Sequence, residues 1–287
     1  MENRVIYING EFYQKDEAKI SVFDHGFLYG DGIFEGIRAY NGKIFRCEEH
    51  INRLFDGARA IDLTIPISKE EITKATIETV KKNGIKEGYI RVVVSRGNGD
   101  LGLSPTKCDT PTIVIIADDI TLYPKEMYEN GMEVLTASVR RNSPDSLDAQ
   151  IKSLNYLNNI LAKIEANHAG VAEAIMLNHN GYVCECTGDN IFVVKENVIY
   201  TPPVTDGALN GITRKTVFEL AAELGYTVIE RNLTLANVYT ADECFFSGTA
   251  AEIIGVTKVD KREIGNGKVG SVTRKLMDAF KNFVRQI

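Results

Sequence analysis

Asp148-Ala-Gln-Ile-Lys-Ser-Leu-Asn-Tyr156 joins a short extended run to a helical pattern, and Lys152 stands at the joint. Beyond it Leu154, Leu157, Leu161 and Ile164 recur at helical spacing. They predict an amphipathic helix over 154–167 with that stripe packed inward. A cation is disfavoured at a helix entrance, because the dipole there is positive. Most lysines are solvated surface residues, so Lys152 gains meaning only from its company.

That company lies downstream. Glu185 interrupts a run of small residues, Cys184-Glu-Cys-Thr-Gly-Asp-Asn190, on a predicted strand. A carboxylate buried there without a cationic partner is expensive, so the sequence asks for one. Gly211-Ile-Thr-Arg214 opens a helix predicted over 212–224, with Thr213 able to cap it. Free N–H groups at such an end suit a phosphate. Ser247-Gly-Thr-Ala-Ala251 is a second loop of small residues, and Arg53 lies on a helix predicted over 48–61. Singly, these are an edge-strand Glu, a plain cap, a turn and a solvated Arg. Together they supply a lysine for an imine, a carboxylate for a pyridinium nitrogen and a cradle for a phosphate, which pyridoxal 5′-phosphate requires.

The rest of the chain supplies the frame. Asn9-Gly10 and Asn41-Gly42 are two-residue hairpin signals between β-branched and aromatic runs. Ser68-Lys-Glu-Glu71 is a capping-box start for a helix ending near Gly84. Strands are expected over 89–95 and 111–117, and the pattern breaks over 119–130. A small N-terminal domain (1–118), a connection (119–130) and a larger C-terminal domain (131–287) follow. The fold class is α+β, with mixed, mostly antiparallel sheets and flanking helices.

Composition narrows the function. A net charge of −6 and the absence of any basic run argue against a nucleic-acid surface. No apolar stretch is long enough to cross a membrane and the first residues lead into a strand pattern, so a cytoplasmic place is expected. Five cysteines, an odd number, do not form a disulfide framework. Cys184 and Cys186 have no second pair to complete a metal site and read as small buried residues, so no metal is expected.

With these residues in hand, the chain resembles the class IV (fold-type IV) pyridoxal-phosphate aminotransferases, and among them most the branched-chain amino acid enzymes. The resemblance runs in order through Phe34-Glu-Gly-Ile-Arg-Ala-Tyr40, Glu49-His-Ile-Asn-Arg53, Tyr89-Ile-Arg91, Lys152-Ser-Leu-Asn-Tyr156, Glu185-x-x-Gly-Asp-Asn190, Leu209-Asn-Gly-Ile-Thr-Arg214 and Ser247-Gly-Thr-Ala-Ala-Glu-Ile253. It implies a D-amino acid aminotransferase-like fold with the cofactor between two domains, in a homodimer or a multiple of one. It also implies transfer of the amino group of leucine, isoleucine or valine to 2-oxoglutarate. By position, Lys152 is the Schiff-base lysine, Glu185 the partner of the pyridinium nitrogen and Tyr156 that of the phenolic oxygen. Arg53, Leu209, Ile212, Thr213 and Thr249 complete the cofactor site. Tyr29, Phe34, Gly36, Arg38, Tyr89, Arg91, Thr249 and Ala250 shape the substrate pocket, with Arg91 in reach of a γ-carboxylate.

Two relatives share this machinery. D-amino acid aminotransferases also carry Lys-Ser-Leu-Asn, but trap the α-carboxylate with an arginine and a histidine after an Arg-Gly step. Here Arg96-Gly97 is followed by Asn98-Gly-Asp-Leu-Gly-Leu103, with neither. Aminodeoxychorismate lyases carry Thr-Thr where this chain has Glu35-Gly36. A catalytically silent cofactor-binding relative is a further alternative, and the intact Lys152, Glu185 and Tyr156 oppose it.

Overall fold

Two Asn-Gly turns set the register of the first strands. In the computed structural model, which describes residues 4–286, Val5–Ile8 (β1) pairs antiparallel with Glu11–Gln14 (β2), Ile8 opposite Glu11. Asn9 and Gly10 both take positive φ, 49° and 101°, as a tight hairpin of this twist demands. Asn41-Gly42 repeats the device between Gly32–Tyr40 (β3) and Lys43–Ile44 (β4). Gly88–Ser95 (β5) and Thr112–Asp118 (β6) complete a six-stranded sheet in the order β2-β1-β6-β5-β3-β4. Every pairing in it is antiparallel.

The helices of this first unit are His25–Tyr29 (α1), Cys47–Ala60 (α2) and Lys69–Lys82 (α3). The capping box is present: Ser68 Oγ accepts from Glu71 N, and the Glu71 carboxylate from Ser68 N. α2 and α3 bring Ile51, Leu54, Ala58, Ile72, Ala75 and Val80 against Ile33, Ile37, Ile90, Val92 and Val94 of the sheet, a single apolar core. Because side chains alternate along a strand, Phe34, Gly36 and Arg38 belong to the opposite face. The unit comprises residues 4–120 and Ile151–Asn155.

The second unit comprises Thr121–Gln150 and Tyr156–Gln286. Its elements are Lys125–Asn130 (α4), Met132–Thr136 (β7), Pro144–Leu147 (α5), Leu157–His168 (α6), Glu173–Leu177 (β8), Val183–Cys186 (β9), Asn190–Lys195 (β10), Val198–Thr201 (β11), Ile212–Glu223 (α7), Val228–Glu230 (β12), Leu235–Tyr239 (α8), Glu243–Gly248 (β13), Glu252–Val259 (β14), Arg262–Glu263 (β15) and Ser271–Arg285 (α9). The sheet runs β12-β11-β10-β13-β14-β7-β8-β9, with β15 on β14. The β11–β12, β14–β7 and β7–β8 pairs are parallel and the others antiparallel, so it is mixed. Phe246, Ile254, Val256, Ile191 and Val193 form its core, together with Tyr123.

Three expectations are corrected. The helix after Lys152 begins at Leu157, so Lys152 is not in its first turn. Its leucine stripe does not pack inward: Leu157, Ile160, Leu161 and Ile164 are exposed, while Ala162 and Ala166 meet Ala137, Ala174 and Met176. Small residues let this helix lie close on β8, and that close approach wins over the wider apolar stripe. The cap of α7 is Gly211 with no side-chain hydrogen bond, and Thr213 is buried inside the helix.

Candidate active site

Lys152 is held by backbone pairing on the edge of β3. Phe34 N donates to Lys152 O and Leu154 N to Gly32 O, both at 2.9 Å, and Ser153 forms a bridge with Ile33. This extended anchor leaves Nζ 4.5 Å from the centroid of the Phe34 ring. Phe34, Gly36 and Arg38 stand opposite Val93, Arg91 and Tyr89 in the β3–β5 register, so all six share the sheet face away from the α2/α3 core. The Arg91 guanidinium lies 4.3 Å from the Phe34 centroid and 5.6 Å from that of Tyr89. A Cβ on residue 36 would fall 1.8 Å from Tyr89 Oη, so the ring crosses here only because the residue is glycine. Aromatic surface and one guanidinium thus sit beside the amine, a combination suited to substrates that are apolar or acidic.

Other expected residues of this unit have partners of their own. Tyr29 ends α1, and its hydroxyl donates to Leu101 O at 2.6 Å. The Arg38 guanidinium covers the Tyr40 ring at 5.2 Å. Arg53 grips Glu35 from α2: Nε donates to Oε1 at 2.7 Å and Nη2 to Oε2 at 2.9 Å. His50, one turn earlier, pairs through Nδ1 with Glu35 Oε2 at 2.8 Å. Burial alone would raise the Glu35 carboxyl, but the Arg53 charge and the hydrogen bonds of His50 and Arg53 outweigh it, and its pKa is lowered to about 2. Burial lowers the His50 pKa despite Glu35, so the imidazole is neutral and Nδ1–H is the donor.

In the second unit Glu185 lies on β9 and is buried. Arg141 Nη2 donates to its Oε1 at 2.5 Å; Leu209 N and Asn190 Nδ2 donate to Oε2 at 2.9 and 3.3 Å. Arg141 is itself fixed by Nε to Gly207 O at 3.0 Å. Cys184 and Cys186 flank Glu185, and burial pushes both thiols up, that of Cys184 to about 12. The described residues contain no cluster of potential metal ligands.

Three features of this unit fit a phosphorylated cofactor. α7 starts without a side-chain cap, leaving its first N–H groups to another acceptor. Gly211 and Gly248 admit no Cβ, which would fall 2.2 Å from Asn190 Oδ1 and 1.8 Å from Asp189 Oδ1. Ser247 Oγ is buried with no hydrogen-bond partner, just before Thr249 and Ala250 in the turn between β13 and β14. Tyr156 occupies the cap position of α6. Residue reading assigned no part to Arg141, Asn190, Glu35 or His50. The demand of a buried Glu185 for a cation was the signal for Arg141; nothing in the sequence said which of 33 Lys and Arg would meet it.

This chain belongs to the class IV aminotransferases: the family model "Amino-transferase class IV" matches residues 32–259. A Methanocaldococcus jannaschii protein provisionally named a branched-chain-amino-acid aminotransferase is 53% identical over 277 residues, covering 96% of this chain and 95% of its own. The crystal structure of Escherichia coli branched-chain amino acid aminotransferase superposes with a TM-score of 0.96 at 36% identity, covering 99% of this chain and 95% of that one. The Thermobaculum terrenum branched-chain amino acid aminotransferase, in its pyridoxal-phosphate form, gives a TM-score of 0.91 at 32% identity, covering 100% of this chain and 95% of that one.

Proposed function

We infer that this chain is a branched-chain amino acid aminotransferase, moving the amino group of L-leucine, L-isoleucine or L-valine to 2-oxoglutarate with pyridoxal 5′-phosphate as cofactor. The observation that carries the reading is Lys152 Nζ over the Phe34 ring, on one sheet face with Tyr89 and Arg91. When bound, the cofactor supplies an electron sink for the carbon that loses its proton.

The chain's own residues do the rest. Lys152 Nζ would take the proton from the substrate's α-carbon and deliver it to the cofactor carbon that receives the amino group. Glu185, kept in place by Arg141, Asn190 and Leu209 N–H, would hold the proton on the ring nitrogen. Tyr156 would donate to the phenolic oxygen. Arg53, Thr249 and the N-terminus of α7 at Ile212 and Thr213 would hold the phosphate, with Leu209 beside it. Phe34 and Tyr89 offer apolar surface to an aliphatic side chain, and Arg91 meets the γ-carboxylate of glutamate or 2-oxoglutarate. Gly36 leaves room for Tyr89; Tyr29, Arg38, Thr249 and Ala250 would also serve substrate binding.

The test is steady-state turnover of leucine, isoleucine, valine and D-alanine with 2-oxoglutarate, in wild type and Arg91→Ala. We expect turnover of the three L-amino acids only. Losing Arg91 should weaken use of 2-oxoglutarate roughly 10- to 100-fold and leucine much less. Equal losses for both would remove the γ-carboxylate role, and D-alanine as the preferred donor would remove the substrate assignment.

We also propose that the protein works as a homodimer or a multiple of one, in the cytoplasm. Leu157, Ile160, Leu161 and Ile164 stand exposed together on α6, an apolar stripe of the kind that marks a contact with another chain. Among the described residues no helix is long and apolar enough to cross a membrane. Sedimentation at micromolar concentration should give a dimer or larger species, and a monomer would contradict the proposal.

A further inference from the structure

Glu35 occupies a place where a carboxylate needs a reason. It is 0% exposed, on the β3 face that packs against α2, between Ile33 and Ile37 and opposite Val92. Burying a charge in such a layer is costly unless it is fully paired. Glu35 is paired through both oxygens: Arg53 takes one with Nε and the other with Nη2, and His50 reaches the second through Nδ1. Two parallel N–H···O bonds fix the plane of a guanidinium as well as its position. The proton on His50 Nδ1 leaves Nε2 as the lone-pair nitrogen, and that atom is buried without a hydrogen-bond partner. The imidazole therefore serves the carboxylate alone.

From this we propose that Glu35 and His50 are positioning residues for Arg53: the buried carboxylate sets the plane of the guanidinium, the imidazole holds the carboxylate, and through Arg53 the pair tunes affinity for the cofactor's phosphate. The proposal rests on the reading of Arg53 as a phosphate ligand and goes beyond it, by naming what aims Arg53. A lysine at 53 would keep a charge but lose the fork that Glu35 orients.

The test compares binding of pyridoxal 5′-phosphate with binding of pyridoxal, which lacks the phosphate, by equilibrium dialysis of the full-length apo protein. The variants are Glu35→Gln, Arg53→Lys and the double variant. We expect Glu35→Gln to weaken pyridoxal 5′-phosphate binding on the order of 10- to 100-fold, the range of a charge-assisted hydrogen bond, while pyridoxal binding stays within about twofold. A general packing defect would weaken both ligands alike and would overturn the proposal. If Glu35 acts through Arg53, the double variant loses less than the product of the two single losses; full additivity would overturn it. A phosphate preference unchanged in Glu35→Gln but reduced in Arg53→Lys would sink the positioning role and leave the Arg53 reading standing. A preference unchanged in both would sink the two together. Should Glu35→Gln fail to fold, Glu35→Asp draws the carboxylate back by one methylene and is read in the same way.

Discussion

Each unit of the molecule buries one glutamate against one arginine, and the two pairs are built in opposite senses. In the first unit Glu35 is the support and Arg53 the candidate ligand; in the second Arg141 is the support and Glu185 the candidate ligand. The partners also differ in origin. Glu35 is held by His50 and Arg53, neighbours one turn apart on α2. Glu185 is held by Arg141, 44 residues away, by Asn190 and by the backbone of Leu209. A buried ion pair is weak evidence for stability, since desolvation offsets much of its attraction. What each pair supplies is a fixed direction for one charged group, a guanidinium in one unit and a carboxylate in the other.

The comparison breaks most readily at Glu185. Glu185→Gln should lower the rate per bound cofactor on the order of 10²- to 10³-fold, the scale of losing one preorganised electrostatic partner. Glu35→Gln should lower affinity and leave that rate nearly intact. If both variants lost rate alike in single-turnover measurements on fully loaded protein, the division of roles would be wrong.

Stability gives the next test. Arg141→Ala leaves Glu185 buried without its counter-charge and should cost about 3–5 kcal/mol in urea unfolding of the apo protein. A loss below about 1 kcal/mol would mean that Asn190 and the Leu209 N–H suffice to hold the carboxylate. The smallest effect is on acid stability. Glu35 has its pKa depressed to about 2 in the folded protein, so its contribution is fully present above the ordinary carboxylate value of about 4.5 and is lost as pH falls toward 2. Wild type should therefore lose stability across that window more steeply than Glu35→Gln. Parallel profiles would show that Glu35 does not titrate with folding.

The same contrast explains what was legible in the sequence. The Asn-Gly hairpins, the Ser68 capping box and the β3–β5 strands are local signals, and the structure contains each of them. Phe34, Tyr89, Arg91 and Lys152 could be named because the short motifs that carry them resemble those of the family. β14 follows the small-residue loop 247–251 and was not foreseen as a strand, since its pairing with β13 and β7 is non-local. Arg141 escaped for the same reason: nothing within a helical turn of it points to Glu185. The stripe on α6 misled because periodicity reports an apolar face without saying what covers it, and Ala162 and Ala166 made the closer contact.

The most direct test of the branched-chain assignment is a titration of the cofactor-loaded protein with L-leucine and, separately, with D-alanine, following the visible absorption of the cofactor. The account predicts that L-leucine converts the bound cofactor stoichiometrically to its pyridoxamine form, that D-alanine does not, and that Lys152→Ala abolishes the conversion. Conversion by D-alanine alone, or conversion by L-leucine that survives in Lys152→Ala, would contradict it.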